Sequence, residues 1–197
     1  MRLGYHVAAV LSGFLLLAGC ATEHTLNPMV SEETSLSNPD KCHGLEEGKY
    51  LLSFGEKESN NAYVLDIKYI ASRCTYQIKA TDSRNETQSF EARMFRVKPE
   101  VDYVSVTLSE AARSAIAASV SELEAMLFVS VTHINARIEH TAGGYDVWVK
   151  RSEKGCVSSA DSAELLAEAM KDDVSGYRRA GKLVKIPSML ERGRVSQ

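Results

Sequence analysis

Four cysteines and five histidines are the side chains here best suited to nucleophilic or metal chemistry. Neither set has the spacing such chemistry needs. Cys42, His43, Cys74 and Cys156 could supply sulfur and imidazole ligands, but no C-x-x-C or H-x-x-x-H pair brings two of them together, so no metal centre is expected. His133 and His140 are seven residues apart, and on one strand an odd separation sends them to opposite faces. Without a bulge they cannot share a site, and each reads as a surface or interstrand polar residue. His24 lies in a polar stretch with nothing to hold it in geometry. The adjacent acids Glu46–Glu47 and Asp172–Asp173 point apart on a helix or a strand alike, so neither pair is a carboxylate dyad. The nucleophile-elbow, zinc-protease, P-loop and dinucleotide motifs do not occur, and Asn85-Glu86-Thr87 matches a glycosylation sequon only by chance. A non-enzyme is expected, with no catalytic residue and no cofactor.

One charge pattern suggests recognition instead. Asp161, Glu164, Glu168 and Asp172 recur three or four residues apart, with Lys171 the lone base among them. On a helix they form an acidic stripe whose like charges repel by a few tenths of a kcal/mol, roughly, per pair. Arg178, Arg179, Lys182 and Lys185 follow within a loop length. Two readings stand: a solvated face with a basic cap on the helix C-terminus, or a docking surface for a basic partner. Tyr145 and Trp148, beside a Gly-Gly turn, are further partner-binding candidates.

The elements that must position these residues alternate between two textures. Residues 48–54, 63–70, 74–80, 90–97 and 101–108 read as strands of an antiparallel meander; Tyr63, Leu65, Ile67 and Tyr69 share one face, as do Tyr76, Ile78 and Ala80, and Val104, Val106 and Leu108. Residues 109–126, free of Gly and Pro, predict a helix with Ser109 as cap. Strands at 129–138 and 145–149 flank Thr141-Ala142-Gly143-Gly144, a hairpin signal. A second helix follows over 159–172, with Ala163, Leu166, Ala167 and Met170 inward, then a short edge strand at Val184 and Ile186. The fold class is α+β: an antiparallel sheet of about six to eight strands with two packed helices.

Residues 1–20 set the address. Arg2 precedes an apolar run that closes Leu17-Ala18-Gly19-Cys20. The run from Leu3 to Gly19 is at the lower limit for a spanning helix, and no basic stop-transfer flank follows. The segment reads as a secretory signal, and Leu-Ala-Gly-Cys resembles the lipobox of bacterial lipoproteins. That resemblance implies cleavage before Cys20, lipidation of its thiol and a membrane anchor. Ala21 in place of Asp after the Cys implies the outer membrane, facing the periplasm. The expected layout is residues 1–19 as signal peptide, 20–41 as lipidated Cys and flexible linker, 42–190 as one globular domain and 191–197 as a frayed tail. The linker's Ser, Thr, Asn and Pro content suggests a reach of roughly 25 Å.

An oxidising compartment permits disulfides. With Cys20 lipidated, three cysteines remain, enough for one bridge and a spare. Cys42–Cys74 is favoured, because Cys42 begins the folded part and Cys74 opens a strand soon after. The chain is net −3, and removing Arg2 makes it slightly more acidic, which argues against nucleic acid as a partner. A small, mildly acidic, tethered domain without catalytic motifs is similar in general features to periplasmic inhibitor and immunity lipoproteins. Those proteins neutralise secreted toxins or envelope hydrolases, which implies a protein partner beside the lipid anchor. A structural lipoprotein of a secretion, pilus or outer-membrane assembly is the alternative.

Overall fold

The computed structural model describes residues 24–54, 62–110, 113–114, 131–151, 157–158 and 160–187. The signal segment, Cys20, Cys156, most of the 109–126 helix and the 191–197 tail lie outside the described residues. Of that helix only its first turn is described, where the Arg113 N–H donates to the Ser109 carbonyl at 2.9 Å.

The strands are β1 (His24–Thr25), β2 (Gly48–Phe54), β3 (Ala62–Ile70), β4 (Thr75–Thr81), β5 (Thr87–Lys98), β6 (Val101–Thr107), β7 (His133–Thr141), β8 (Gly144–Lys150), β9 (Val157–Ser158) and β10 (Tyr177–Lys185). Helix α1 is Glu32–Ser37 and α2 is Ser162–Lys171. Among the described residues, eight antiparallel strands form a closed ring, β2-β3-β4-β5-β6-β7-β8-β10 and back to β2. The antiparallel sheet and the helix at Ser162–Lys171 are as expected, whereas α1 falls where a linker was expected. Its closure into an up-and-down barrel is not legible in local patterns, because it depends on β10 pairing with β2 over more than 120 residues (Gly181 with Phe54, Lys185 with Tyr50). Closure leaves those eight strands without an open edge.

The alternation of the meander strands sends one set of side chains inward. Tyr50, Leu52, Phe54, Tyr63, Leu65, Ile67, Tyr76, Met94, Val104 and Leu183 belong to one buried cluster inside the barrel. A second cluster lies outside the wall: Met29, Val30, Phe95, Val101 and Tyr103 are covered by Leu165 and Ala169 of α2. Strand β6 is therefore buried on both faces over Val101–Ser105.

Three expectations are corrected. First, residues 24–41 are no free linker. Val30 is fully buried, its N–H donates to Ser105 Oγ (2.9 Å), and the Asn135 side-chain amide donates to Thr25 Oγ1 (2.8 Å). The segment's backbone N–H groups and the Thr25 hydroxyl serve as hydrogen-bond partners for β6 and β7, and Ser31 caps α1 by accepting from the Thr34 N–H. Second, Val184 and Ile186 do not mark a short edge strand. Strand β10 spans nine residues and pairs on both sides, with β2 and with β8. The basic residues Arg178, Arg179, Lys182 and Lys185 lie in this strand rather than in a helix-capping loop. A bulge between Arg179 and Gly181 shifts the phase, so Ala180 and Leu183 both join the core and the period of two is hidden. Third, α2 buries Leu165 and Ala169, whereas Ala163 and Ala167 are exposed and Met170 is 57% exposed.

The segment before β2 plugs one barrel end, and the Cys42–Cys74 disulfide fastens it to the start of β4. Tyr69 lies beside the bridge, its hydroxyl 2.9 Å from Cys42 Sγ. The cysteines are 32 residues apart, and on the chain-entropy model closing such a loop contributes about 3–4 kcal/mol. Replacing both cysteines by Ser should lower the unfolding free energy by about that amount in urea titrations, and adding reductant to the native chain should reproduce the loss.

Candidate binding site

The two barrel ends differ in chemistry. At the plugged end, Asp102 is wholly buried on an inward position of β6. Arg96 of β5 holds both its oxygens, Nε to Oδ1 at 3.0 Å and a terminal nitrogen to Oδ2 at 3.1 Å. His140 of β7 places Nε2 2.7 Å from Oδ2. The same Arg96 nitrogen donates to the Gly44 carbonyl of the plug at 3.3 Å. Gly44 is required by proximity: a Cβ there would fall 2.4 Å from Asp102 Oδ2. Tyr76 completes the closure, its hydroxyl accepting from the Gly44 and Leu45 N–H groups at 2.9 and 3.2 Å. Burial pushes the Tyr76 hydroxyl up to about 12 despite those two donors. The His140 ring packs edge-on against Tyr145, which in turn meets Tyr50.

A histidine on a carboxylate is the pairing that activates nucleophiles. Here the carboxylate is shared with a guanidinium that also ties down the plug, so the cluster's charges are engaged with one another and with the barrel's own closure. Sequence reasoning missed Arg96 and Asp102, although a signal existed. Arg96 continues the inward row Phe90, Ala92, Met94, and Asp102 begins the row Val104, Val106. A charge in register with an apolar face is either paired or mispredicted. Removing one partner of a buried ion pair costs about 3–5 kcal/mol, so Asp102→Ala should destabilise by that much in chemical denaturation, far more than Asp173→Ala on the surface.

A second ion cluster pins α2 to the outer wall. Arg137, 4% exposed on the outward side of β7, donates to Asp172 Oδ1 through Nε at 3.0 Å, and Lys98 and the Tyr103 hydroxyl also reach Asp172. Asp172 caps α2 with a left-handed backbone. Burial by itself would raise its carboxyl; the hydrogen bonds and charges of Lys98 and Arg137 outweigh that and hold it below the ordinary value. A depressed carboxyl contributes stability that is complete above its unfolded value, near pH 4, and fades as pH falls through the folded value. Urea midpoints measured from pH 5 to pH 2.5 should fall more steeply for the native chain than for Asp172→Asn.

The sequence-predicted residues do not form one surface. Asp161 and Glu164 make a reciprocal capping box at the start of α2. Glu168 pairs with Lys150, and Asp172 sits inside the Arg137 cluster. The acidic residues thus make contacts within the fold, while Asp161, Glu164 and Glu168 also remain exposed along α2. Tyr145 and Trp148, three apart on β8, face opposite sides. Tyr145 lies at the polar barrel end and Trp148 lies on the outer wall, paired across the sheet with Arg137 and Arg179. His133 and His140 likewise face opposite sides, as their spacing requires; burial lowers the pKa of His133.

Among the described residues, an exposed apolar row and an apolar recess are open to a ligand. On the outer wall, Val184, Leu51 and Val64 are aligned across β10, β2 and β3 and are 39%, 40% and 38% exposed. Lys49, Lys68, Lys79 and Lys182 project from the same side of these strands and β4, with Asp66 between Lys49 and Lys79. At the barrel end away from Asp102, an apolar recess partly open to solvent is lined by Leu65, Ile78, Phe90, Val106, Leu108 and Ile134. Comparison with protein-family models, with curated proteins and with solved structures finds no match to this chain.

Proposed function

We propose that this chain is a non-catalytic binding protein of the bacterial envelope, anchored through lipidated Cys20 and facing the periplasm. It occludes a protein partner, in the manner of an inhibitor or immunity protein against a toxin or hydrolase that attacks the envelope. The observation that carries this reading is the uncovered row Val184–Leu51–Val64. In the ring of eight strands, β2 stands opposite β6 and β3 opposite β7. The N-terminal segment, from which the anchor extends, packs on β6 and β7. A tethered barrel therefore presents its β10-β2-β3 wall away from the attachment side.

The chemistry of that wall defines the partner. An apolar centre with a lysine rim suits a surface with an apolar patch inside an acidic rim, where the charges orient the encounter and the apolar contact holds it. This reverses the charge sign expected from the α2 acids. The Cys42–Cys74 bridge supports an oxidising compartment.

The test is a photo-crosslinking residue at Val64, with Ala167 on the exposed side of α2 as control. A single envelope-active enzyme should be captured from Val64 and not from Ala167, and the purified chain should inhibit that enzyme. Val64→Glu should reduce inhibition at least tenfold while shifting stability by no more than about 0.5 kcal/mol, as for other surface changes. Equal adducts at both positions, or an adduct whose activity is untouched, would overturn the reading.

A further inference from the structure

The apolar pocket has an occupant within reach. Its walls are wholly apolar. Such a space gains nothing from water and accepts only an apolar guest. Ile134, one of its walls, pairs across the sheet with His24 of β1. Cys20 stands four residues before His24 in the sequence. A fully extended chain covers at most about 14 Å over four residues. The loss of the expected linker is what makes this short: residues 24–41 are bound to the wall, so the leash is the brief stretch ahead of them and not a spacer of twenty.

We propose that the pocket receives one unbranched acyl chain, supplied by the lipid on Cys20 of the same molecule. The inference rests on the lipidation in the reading above and adds a site to it. The wall residues are inward positions of β3 to β7 together with Leu108, so an acyl chain would lie inside the barrel end they line. The closed, polar end cannot serve, because Asp102, Arg96 and the Gly44 plug fill it. The remaining acyl chains stay in the bilayer, and the barrel is held against the membrane with a fixed orientation.

The experiment uses the full chain carrying Phe90→Trp, as the acylated protein and as Cys20→Ser, both in the same mild detergent. Intact mass reports acylation. Nitroxide-labelled stearate is titrated and the fluorescence of the introduced indole followed, with the chain retaining Phe90 as the baseline for Trp148. Saturable quenching is expected in Cys20→Ser at one label per chain, with at least tenfold more label needed in the acylated protein. Val106→Trp supplies a second reporter should Phe90→Trp fail to fold. Equal titrations in an acylated and an unacylated chain, or no quenching in either, would overturn the proposal. A native mass without acyl groups would instead overturn the lipidation itself.

Discussion

The barrel depends on a carboxyl group buried without any exposure. Asp102 takes Arg96 from one neighbouring strand and His140 from the other, so three consecutive strands converge on one side chain. A lone carboxylate in this position would be strongly unfavourable; paired in a forked geometry it becomes specific to one register. A slip of one residue between β5 and β6 would turn Arg96 outward and leave Asp102 without its partner. Arg96 then extends the constraint to the plug through the Gly44 carbonyl, and the disulfide fixes the plug to β4. Closure of the barrel end, strand register and covalent bridge are thus one connected arrangement.

The outer wall is divided by the same logic. On the β5-β6-β7 side, outward apolar residues such as Phe95, Val101 and Tyr103 require a cover, which Met29, Val30 and α2 provide. The cover is fastened by polar contacts. Ser105 donates to Asn135, Asn135 donates to Thr25, and Arg137 grips Asp172 at the end of α2. On the β10-β2-β3 side no such cover is described, and valine and leucine remain about two-fifths exposed. A rigid wall, apolar at the centre and cationic at the rim, is well suited to recognition because little ordering entropy is lost on binding.

What was legible in the sequence follows from range. Strands β2 to β8 were legible because each carries its own alternation, and the hairpin of β7 and β8 because Gly143-Gly144 supplies the turn; Gly144 adopts a φ of +127°. The Cys42–Cys74 bridge was legible because the plug and β4 are near in sequence. Strand β10 was illegible, because its bulge breaks the alternation and four of its nine residues are basic. Ring closure was illegible for a different reason: no local pattern records that Lys182 lies beside Ser53. The N-terminal segment was misread on composition. Thr25, Asn27 and Ser31 have the chemistry of a spacer, but Thr25 bonds Asn135 of β7, Asn27 the Ala160 carbonyl and Ser31 the first turn of α1. Of the site, Tyr145 and Trp148 stand out in the sequence for their size, and strand parity separates them.

Strand β7 serves both ends of the barrel and its outer cover. Its inward side carries Ile134 at the apolar end and His140 at the polar end; its outward side carries Asn135 and Arg137, which hold the N-terminal segment and α2. Because β1 pairs with its first residues, the position of His24–Thr25 is set by the same strand that completes the Asp102 cluster. In the proposed role, the direction in which the barrel faces depends on where the described N-terminal segment is bound. It follows from the pairing of β1 with β7, and the diametric placement of β3 makes the uncovered wall the side that meets the periplasm in the proposed role.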